Sequence, residues 1–204
     1  MQKDKPNYYN DLDKVYLKIL DLLDLGLKKR NAPFHIPVFI CGKENKFAGR
    51  IVVLRGVNAK ERKIWFHSDI RSNKVKILKS NSRGTLLFYD KIEKIQLRIS
   101  VNTKINYQNE TTKNSWKKTT LMSRQCYLGE NPPGSNSATA TSGLTEKVDN
   151  LKYSIGESEI GYKNFCVIET FIESIEWLYL AAKGHRRALF TFKNNSLEKK
   201  WLIP

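Results

Sequence analysis

Arg50-Ile51-Val52-Val53-Leu54-Arg55 and, after a short polar link, Trp65-Phe66-His67-Ser68-Asp69-Ile70-Arg71-Ser72-Asn73-Lys74 are the two runs that decide the reading of this chain. The first is apolar between two cations, as expected of a buried strand whose charges sit at its rims, where they reach an anion without full desolvation. The second begins as a strand and ends in a basic, hydroxyl-bearing turn. Ser72 then stands as an N-cap for a short helix over 72–80, with Val75 and Leu78 facing inward. Helix N-termini present unpaired N–H groups and a partial positive charge. A hydroxyl and an ammonium beside them add directional and Coulombic contacts to a phosphate. On the residues alone a plainer alternative stays open, because basic residues at strand ends commonly face solvent.

Working outward, residues 8–29 predict an amphipathic helix. Leu12, Val15, Tyr16, Ile19, Leu20 and Leu23 recur at helical spacing, and Gly26 with Asn31-Ala32-Pro33 marks the end. From Phe34 the period changes to that of strands. Segments 34–41 and 48–57 read as a hairpin around Gly42-Lys43-Glu44-Asn45-Lys46, with His35 a structural residue early in the first strand. Further strands are expected at 63–68, 83–89, 95–101, 165–171, 174–181, 188–192 and 200–203. Helical character appears at 112–126 and 145–152. Gly129 to Gly143, rich in Gly, Pro, Ser, Thr and Asn, reads as a long loop. The expected fold is mainly β with peripheral helices, a β-barrel formed by a single domain over 1–204.

Composition bounds the function. The chain has 204 residues, 40% of them hydrophobic, enough for a sizeable core. No segment approaches the ~18 consecutive apolar residues that span a bilayer. Met1-Gln2-Lys3-Asp4-Lys5 precedes no apolar signal core, so a cytoplasmic location is expected. Cys41, Cys126 and Cys166 are widely spaced and read as three reduced thiols. No grouping of His, Cys and carboxylate has metal-ligand spacing, so no metal is expected. With 36 Lys and Arg against 20 Asp and Glu the net charge is +16, which favours anionic partners. The cations are dispersed and accompany no recognised nucleic-acid motif, so nonspecific attraction to polyanions outweighs a dedicated nucleic-acid site.

The two opening runs, taken in order with Arg83-Gly84-Thr85-Leu86-Leu87-Phe88-Tyr89, Gln96-Leu97-Arg98-Ile99-Ser100, Trp116, Ser123-Arg124, Pro133-Gly134, His185-Arg186-Arg187, Trp201 and Pro204, resemble the pyridoxamine 5′-phosphate oxidase family. The resemblance is to the branch reading Arg-x-Val-Val-Leu-Arg and then His-Thr-Asp-x-Arg-Ser-x-Lys. It implies a split β-barrel homodimer with FMN at the subunit interface. It implies that Arg50, Ser72 and Lys74, with Asn73 between them, hold the FMN phosphate. Ile51, Val52, Val53, Leu54, His67 and Ser68 would line the ribityl and flavin region. Gln96 would face the isoalloxazine ring and Arg187 its polar edge, while Arg55 falls at a position shared by cofactor and substrate.

For substrate, the resemblance points to Arg55, Tyr127, Asn131, Ser135, Lys183 and His185. Here the chain departs from the family. Asn131 stands where an arginine would grip the substrate phosphate. The family's Arg-x-His-Asp-Arg becomes Lys183-Gly184-His185-Arg186-Arg187. Lysine offers a point charge where arginine offers a planar fork. His185 carries two readings side by side, a group that orients substrate or moves a proton near the flavin, and an ordinary turn histidine. The leading expectation is an FMN-dependent oxidoreductase transferring hydride from a small, phosphorylated substrate to flavin, with oxygen as reoxidant. The alternatives are an FMN-binding protein that does not turn over B6 vitamers and, last, a cofactor-free nucleic-acid-binding barrel.

Overall fold

A computed structural model describes residues 6–182, 184–194 and 196–204. The N-terminal charges at 1–5 and Lys183 lie outside the described residues. The chain divides into two compact units, one formed by Met1–Phe66, Arg83–Thr103 and Thr170–Pro204, the other by His67–Ser82 and Lys104–Glu169.

The first unit is built on antiparallel strands. These are β1 (Val38–Lys43), β2 (Lys46–Ile51), β3 (Leu54–Asn58), β4 (Lys63–Asp69), β5 (Arg83–Asp90), β6 (Ile95–Tyr107), β7 (Phe165–Tyr179), β8 (Arg186–Lys193) and β9 (Ser196–Leu202). Their order is β2-β1-β5-β6-β7-β4-β3, with β8 beside β7 and β9 beside β8. The ends of β4, β6 and β7 run on into the second unit. Helix α1 (Leu12–Lys28) is capped by Asp11, whose carboxylate accepts from Asp13 N and Lys14 N, and it buries Val15, Ile19, Leu22 and Leu23. The expected start at Tyr8 is instead a turn, in which Tyr9 N donates to Pro6 O. The helix ends at Lys28, one residue short of the expected end. Phe34 packs directly on Gly26, where no larger side chain fits, and His35 Nδ1 donates to Gly26 O over 2.8 Å. His35 therefore closes a 3-10 turn (Pro33–His35), not a strand.

The hairpin of β1 and β2 pairs Val38 with Ile51 through Lys43 with Lys46. The strand expected over 48–57 is broken, because Val52 N leaves the ladder to donate to Pro37 O, and β3 starts afresh at Leu54. The apolar run is thus split by face: Val52 and Leu54 are buried, whereas Ile51 is 66% exposed. A bulge follows at Leu54/Gly56 opposite Trp65, and there only glycine fits, since a Cβ would lie 1.8 Å from the Trp65 ring. The two strands expected at 165–171 and 174–181 are one continuous strand, β7. Phe39, Phe66, Phe88, Trp177 and Phe190 lie in the core.

The second unit holds α2 (Asn73–Ser80), α3 (Glu110–Lys117), α4 (Leu121–Arg124) and α5 (Glu146–Asp149), with the long loop before α5 free of regular structure. Asn109 and Thr112 form a reciprocal capping box on α3. Arg124, almost fully buried, stacks 4.5 Å from the Trp116 ring centroid and pairs with Glu159, which also accepts from Trp116 Nε1. No described helix is long and apolar enough to cross a membrane.

Candidate functional site

In the second unit, β4 ends at His67, Ser68 and Asp69 and the chain turns sharply into α2. Asp69 shapes the turn by accepting from the Arg71 amide (2.7 Å) and gripping the Arg71 guanidinium (2.7 Å to Nη2). Ile70 N donates to Asn164 O, and Cys166 Sγ donates to Ser68 O, tying the turn to the chain leading into β7. Burial pushes the Cys166 thiol up to about 12, so it is an inert support.

This turn brings three predicted residues together. Lys74 Nζ donates to Ser68 Oγ (2.8 Å) and Ser72 Oγ (3.3 Å), and the two hydroxyls are 3.3 Å apart. Ser68 and Ser72 are only 4% and 5% exposed. Ser72 occupies the N-cap of α2, yet its hydroxyl caps no backbone N–H and turns to the lysine instead. Two buried hydroxyls and an ammonium at a helix N-terminus have the donor set that a phosphate monoester requires. Asn73 is the exposed first residue of the helix, and the His67 ring meets Phe165 edge to face at 4.8 Å.

The remaining cofactor candidates lie in the first unit. Arg50 on β2 stands opposite Phe39 and donates from Nη1 to the weak acceptor Cys41 Sγ (3.4 Å). Val53 is half-buried and Arg55, on β3, is exposed. Gln96, half-buried on β6 opposite Tyr89, is two residues from Arg98 and so shares its face. Arg98 Nη2 and Arg187 Nη2 both donate to one Glu176 oxygen, over 2.6 and 2.9 Å. Burial works against the Glu176 charge, but hydrogen bonds from Arg187 and Arg98 outweigh it and hold this carboxyl below its ordinary range. The hydrogen bond to Glu176 in turn raises Arg187. Arg187 Nε is buried with no hydrogen-bond partner. A buried orphan donor costs about 1–3 kcal/mol, so an acceptor brought by a ligand is favoured there. That orphan fits the polar edge of a flavin.

His185, exposed ahead of β8, accepts from Ala181 N through Nδ1 (3.1 Å), which leaves Nε2 as its outward nitrogen. Among the substrate candidates, Tyr127 is buried, with its ring edge on Phe165 at 5.0 Å, and lines a cavity of about 330 Å³ with Arg71, Leu128, Lys147, Tyr153 and Ile160. Asn131 and Ser135 are exposed and border a different hollow of about 670 Å³ formed largely by the 129–144 loop. Ser135 Oγ donates to Pro132 O, within its own turn. The structure therefore separates Tyr127 from Asn131 and Ser135. Arg71 borders both cavities, and its Nη1 donates to Glu130 O (3.0 Å). Sequence reasoning assigned it no role, although the Asp69-x-Arg71 spacing was the available signal. Among the described residues, no group of three or more His, Cys, Asp or Glu could hold a metal ion.

Residues 29–106 match the family model described as pyridoxamine 5′-phosphate oxidase, FMN-binding domain. A pyridoxamine 5′-phosphate oxidase-related, FMN binding protein from Nostoc punctiforme PCC 73102 superposes with a TM-score of 0.73 at 15% identity, over 92% of this chain and 96% of its own. PhzG from Burkholderia lata 383, in complex with tetrahydrophenazine-1-carboxylic acid, gives 0.72 at 12% identity over 99% and 98%. No curated protein matches the chain in sequence. At these identities the solved structures speak to fold alone. Residues 29–106 thus resemble the pyridoxamine 5′-phosphate oxidase FMN-binding domain, and the chain as a whole carries the split-barrel fold of these solved structures.

Proposed function

We propose that this protein is an FMN-dependent oxidoreductase acting as a homodimer. The observation that carries the reading is the meeting of Ser68, Ser72 and Lys74, with an N-cap hydroxyl diverted from its own helix to the lysine. Lys74 and the two hydroxyls would hold the FMN phosphate, and Arg50, in the first unit, is a further candidate cation. Gln96 faces the ring. Arg187, steadied by Glu176, donates to its polar edge, and a cation there favours the anionic reduced flavin. FMN supplies hydride acceptance from the substrate and reoxidation by oxygen. His185 Nε2 is the group that orients substrate or exchanges a proton with it.

Exposed apolar residues on the first unit support the dimer. Phe47 is 75% exposed, and Val38 pairs across the ladders with both the exposed Ile51 and the half-buried Leu87. Such a strip marks an interaction surface. In a homodimer with FMN at the interface, the phosphate cradle and the arginine need not come from one copy.

A substrate other than a B6 phosphate is favoured by one feature. Asn131 and Ser135 share no cavity with Tyr127, so the residues expected to grip a substrate phosphate do not assemble in the second unit. The fold by itself names no substrate, as PhzG with its phenazine acid illustrates.

Titrating the protein with FMN and following flavin fluorescence tests the cofactor. Saturable quenching is expected, and its loss in the Arg50→Ala/Lys74→Ala double variant; unquenched flavin would refute the reading. Anaerobic mixing with pyridoxamine 5′-phosphate then separates the substrates. Bleaching of the flavin absorbance assigns B6 oxidation, and an unchanged spectrum assigns a different substrate.

A further inference from the structure

The N-terminal turn grips the segment that carries His185 and Arg187. Tyr9, almost fully buried, donates its hydroxyl to Gly184 O. The Arg186 guanidinium lies over the Tyr9 ring at 4.5 Å, within the range of a cation–π contact. Arg186 Nε donates to Asn10 Oδ1 (3.0 Å), and its Nη1 reaches back to His185 O (2.9 Å). The carbonyls of two consecutive residues are therefore both held by side chains. Gly184 sits at φ +103°, a backbone conformation open to glycine.

The grip is itself anchored. Tyr9 meets Tyr179 edge to face at 5.2 Å, and Tyr8 meets Trp177 at 6.5 Å, both near the end of β7. Asp11 then caps α1, which buries Val15, Ile19, Leu22 and Leu23 against the unit and so anchors the turn that precedes it. The geometry also sets direction. Arg186 and Arg187 are neighbours on β8, opposite Tyr179 and Leu178, and project to opposite faces. Arg186 is a handle on one face, and what it holds is presented on the other.

The geometry points to Tyr9, Asn10 and Arg186 as positioning residues: through Gly184 and His185 they set the angle at which Arg187 presents its guanidinium. This rests on the reading that Arg187 meets the polar edge of FMN. The clamp has no part in holding the phosphate. Its loss should therefore leave FMN affinity alone and change only how strongly the reduced, anionic flavin is favoured.

The test uses the FMN-loaded full chain. Tyr9→Phe removes the bond to Gly184 and keeps the ring, while Arg186→Lys keeps the charge and loses the planar stack. Arg187→Gln is the benchmark. Fluorescence titration gives the FMN Kd, anaerobic dithionite titration gives the flavin midpoint potential, and thermal unfolding checks the fold. Each clamp variant should keep the Kd within about twofold and shift the potential to more negative values, read as roughly three- to tenfold weaker binding of reduced relative to oxidised FMN. The double variant should shift little further, because both changes break one device. Arg187→Gln should move the potential in the same direction, and by more. If Arg187→Gln shifts the potential while Tyr9→Phe and Arg186→Lys do not, the clamp is structural only and the inference falls. If Arg187→Gln leaves the potential unchanged, the placement of Arg187 at the flavin edge falls, and the clamp's role with it.

Discussion

The two clusters of candidate residues are built in opposite ways. In the second unit, Ser68, Ser72 and Lys74 meet within seven residues of chain, where one turn and the first turn of α2 suffice to bring them together. In the first unit, Arg98, Glu176 and Arg187 meet from three strands adjacent in the sheet, with Arg98 78 residues and Arg187 11 residues from Glu176 in sequence. A cradle made locally can fail without disturbing the fold. A charge network made by the sheet cannot, because removing Glu176 strands the half-buried Arg187 without its partner.

Lys74→Ala presses on that contrast hardest. It removes a charge-assisted donor, worth about 1.5–3 kcal/mol, so FMN affinity should fall by roughly 10- to 100-fold, while urea unfolding of the FMN-free protein stays close to wild type. Equal damage to folding and binding would show that the lysine is part of the packing, not of a ligand site. Glu176→Gln is the converse. It leaves Arg98 and Arg187 without their shared charge and should lower stability by about 1–2 kcal/mol at pH 7. The sign with pH is fixed by the lowered Glu176 pKa. Its contribution is present above the ordinary carboxylate range, about 4.3, and is lost as pH falls through the folded value. The gap between wild type and Glu176→Gln should therefore be full at pH 6–8 and close towards pH 3. A gap that does not change with pH would remove the charge network as its cause.

How far the sequence disclosed these clusters follows from the same contrast. The strand, turn and helix around Ser68 to Lys74 were legible because a period-2 run, an N-cap residue and a helical spacing follow one another directly. The β1–β2 hairpin was legible for the same reason. Three-dimensional override hid the rest. Gly26 reads as part of a helix end, and nothing near it in sequence shows that it makes room for Phe34 to pack. Residues 48–57 look like one strand until Val52 donates to Pro37 and breaks it. Glu176 carries no local signal at all, since its meaning lies in two arginines 78 and 11 residues away. Arg186 read as the loss of an expected acid, yet the structure supplies its partners in Tyr9 and Asn10.

The smallest effect is also the most discriminating. Replacing an N-cap serine by alanine ordinarily costs about 0.5–2 kcal/mol of stability, because the hydroxyl satisfies an otherwise unpaired N–H of the first turn. Ser72 occupies that position on α2 but makes no capping bond, its hydroxyl lying 3.3 Å from both Lys74 Nζ and Ser68 Oγ. Ser72→Ala should therefore cost less than about 0.5 kcal/mol in urea unfolding, below the usual capping loss. It should weaken FMN by only about two- to tenfold, the worth of one neutral hydrogen bond. A full capping loss with unchanged FMN affinity would mean that Ser72 serves its helix after all. The phosphate cradle would then reduce to Ser68 and Lys74, and the local cluster would lose the feature that sets it apart from an ordinary helix start.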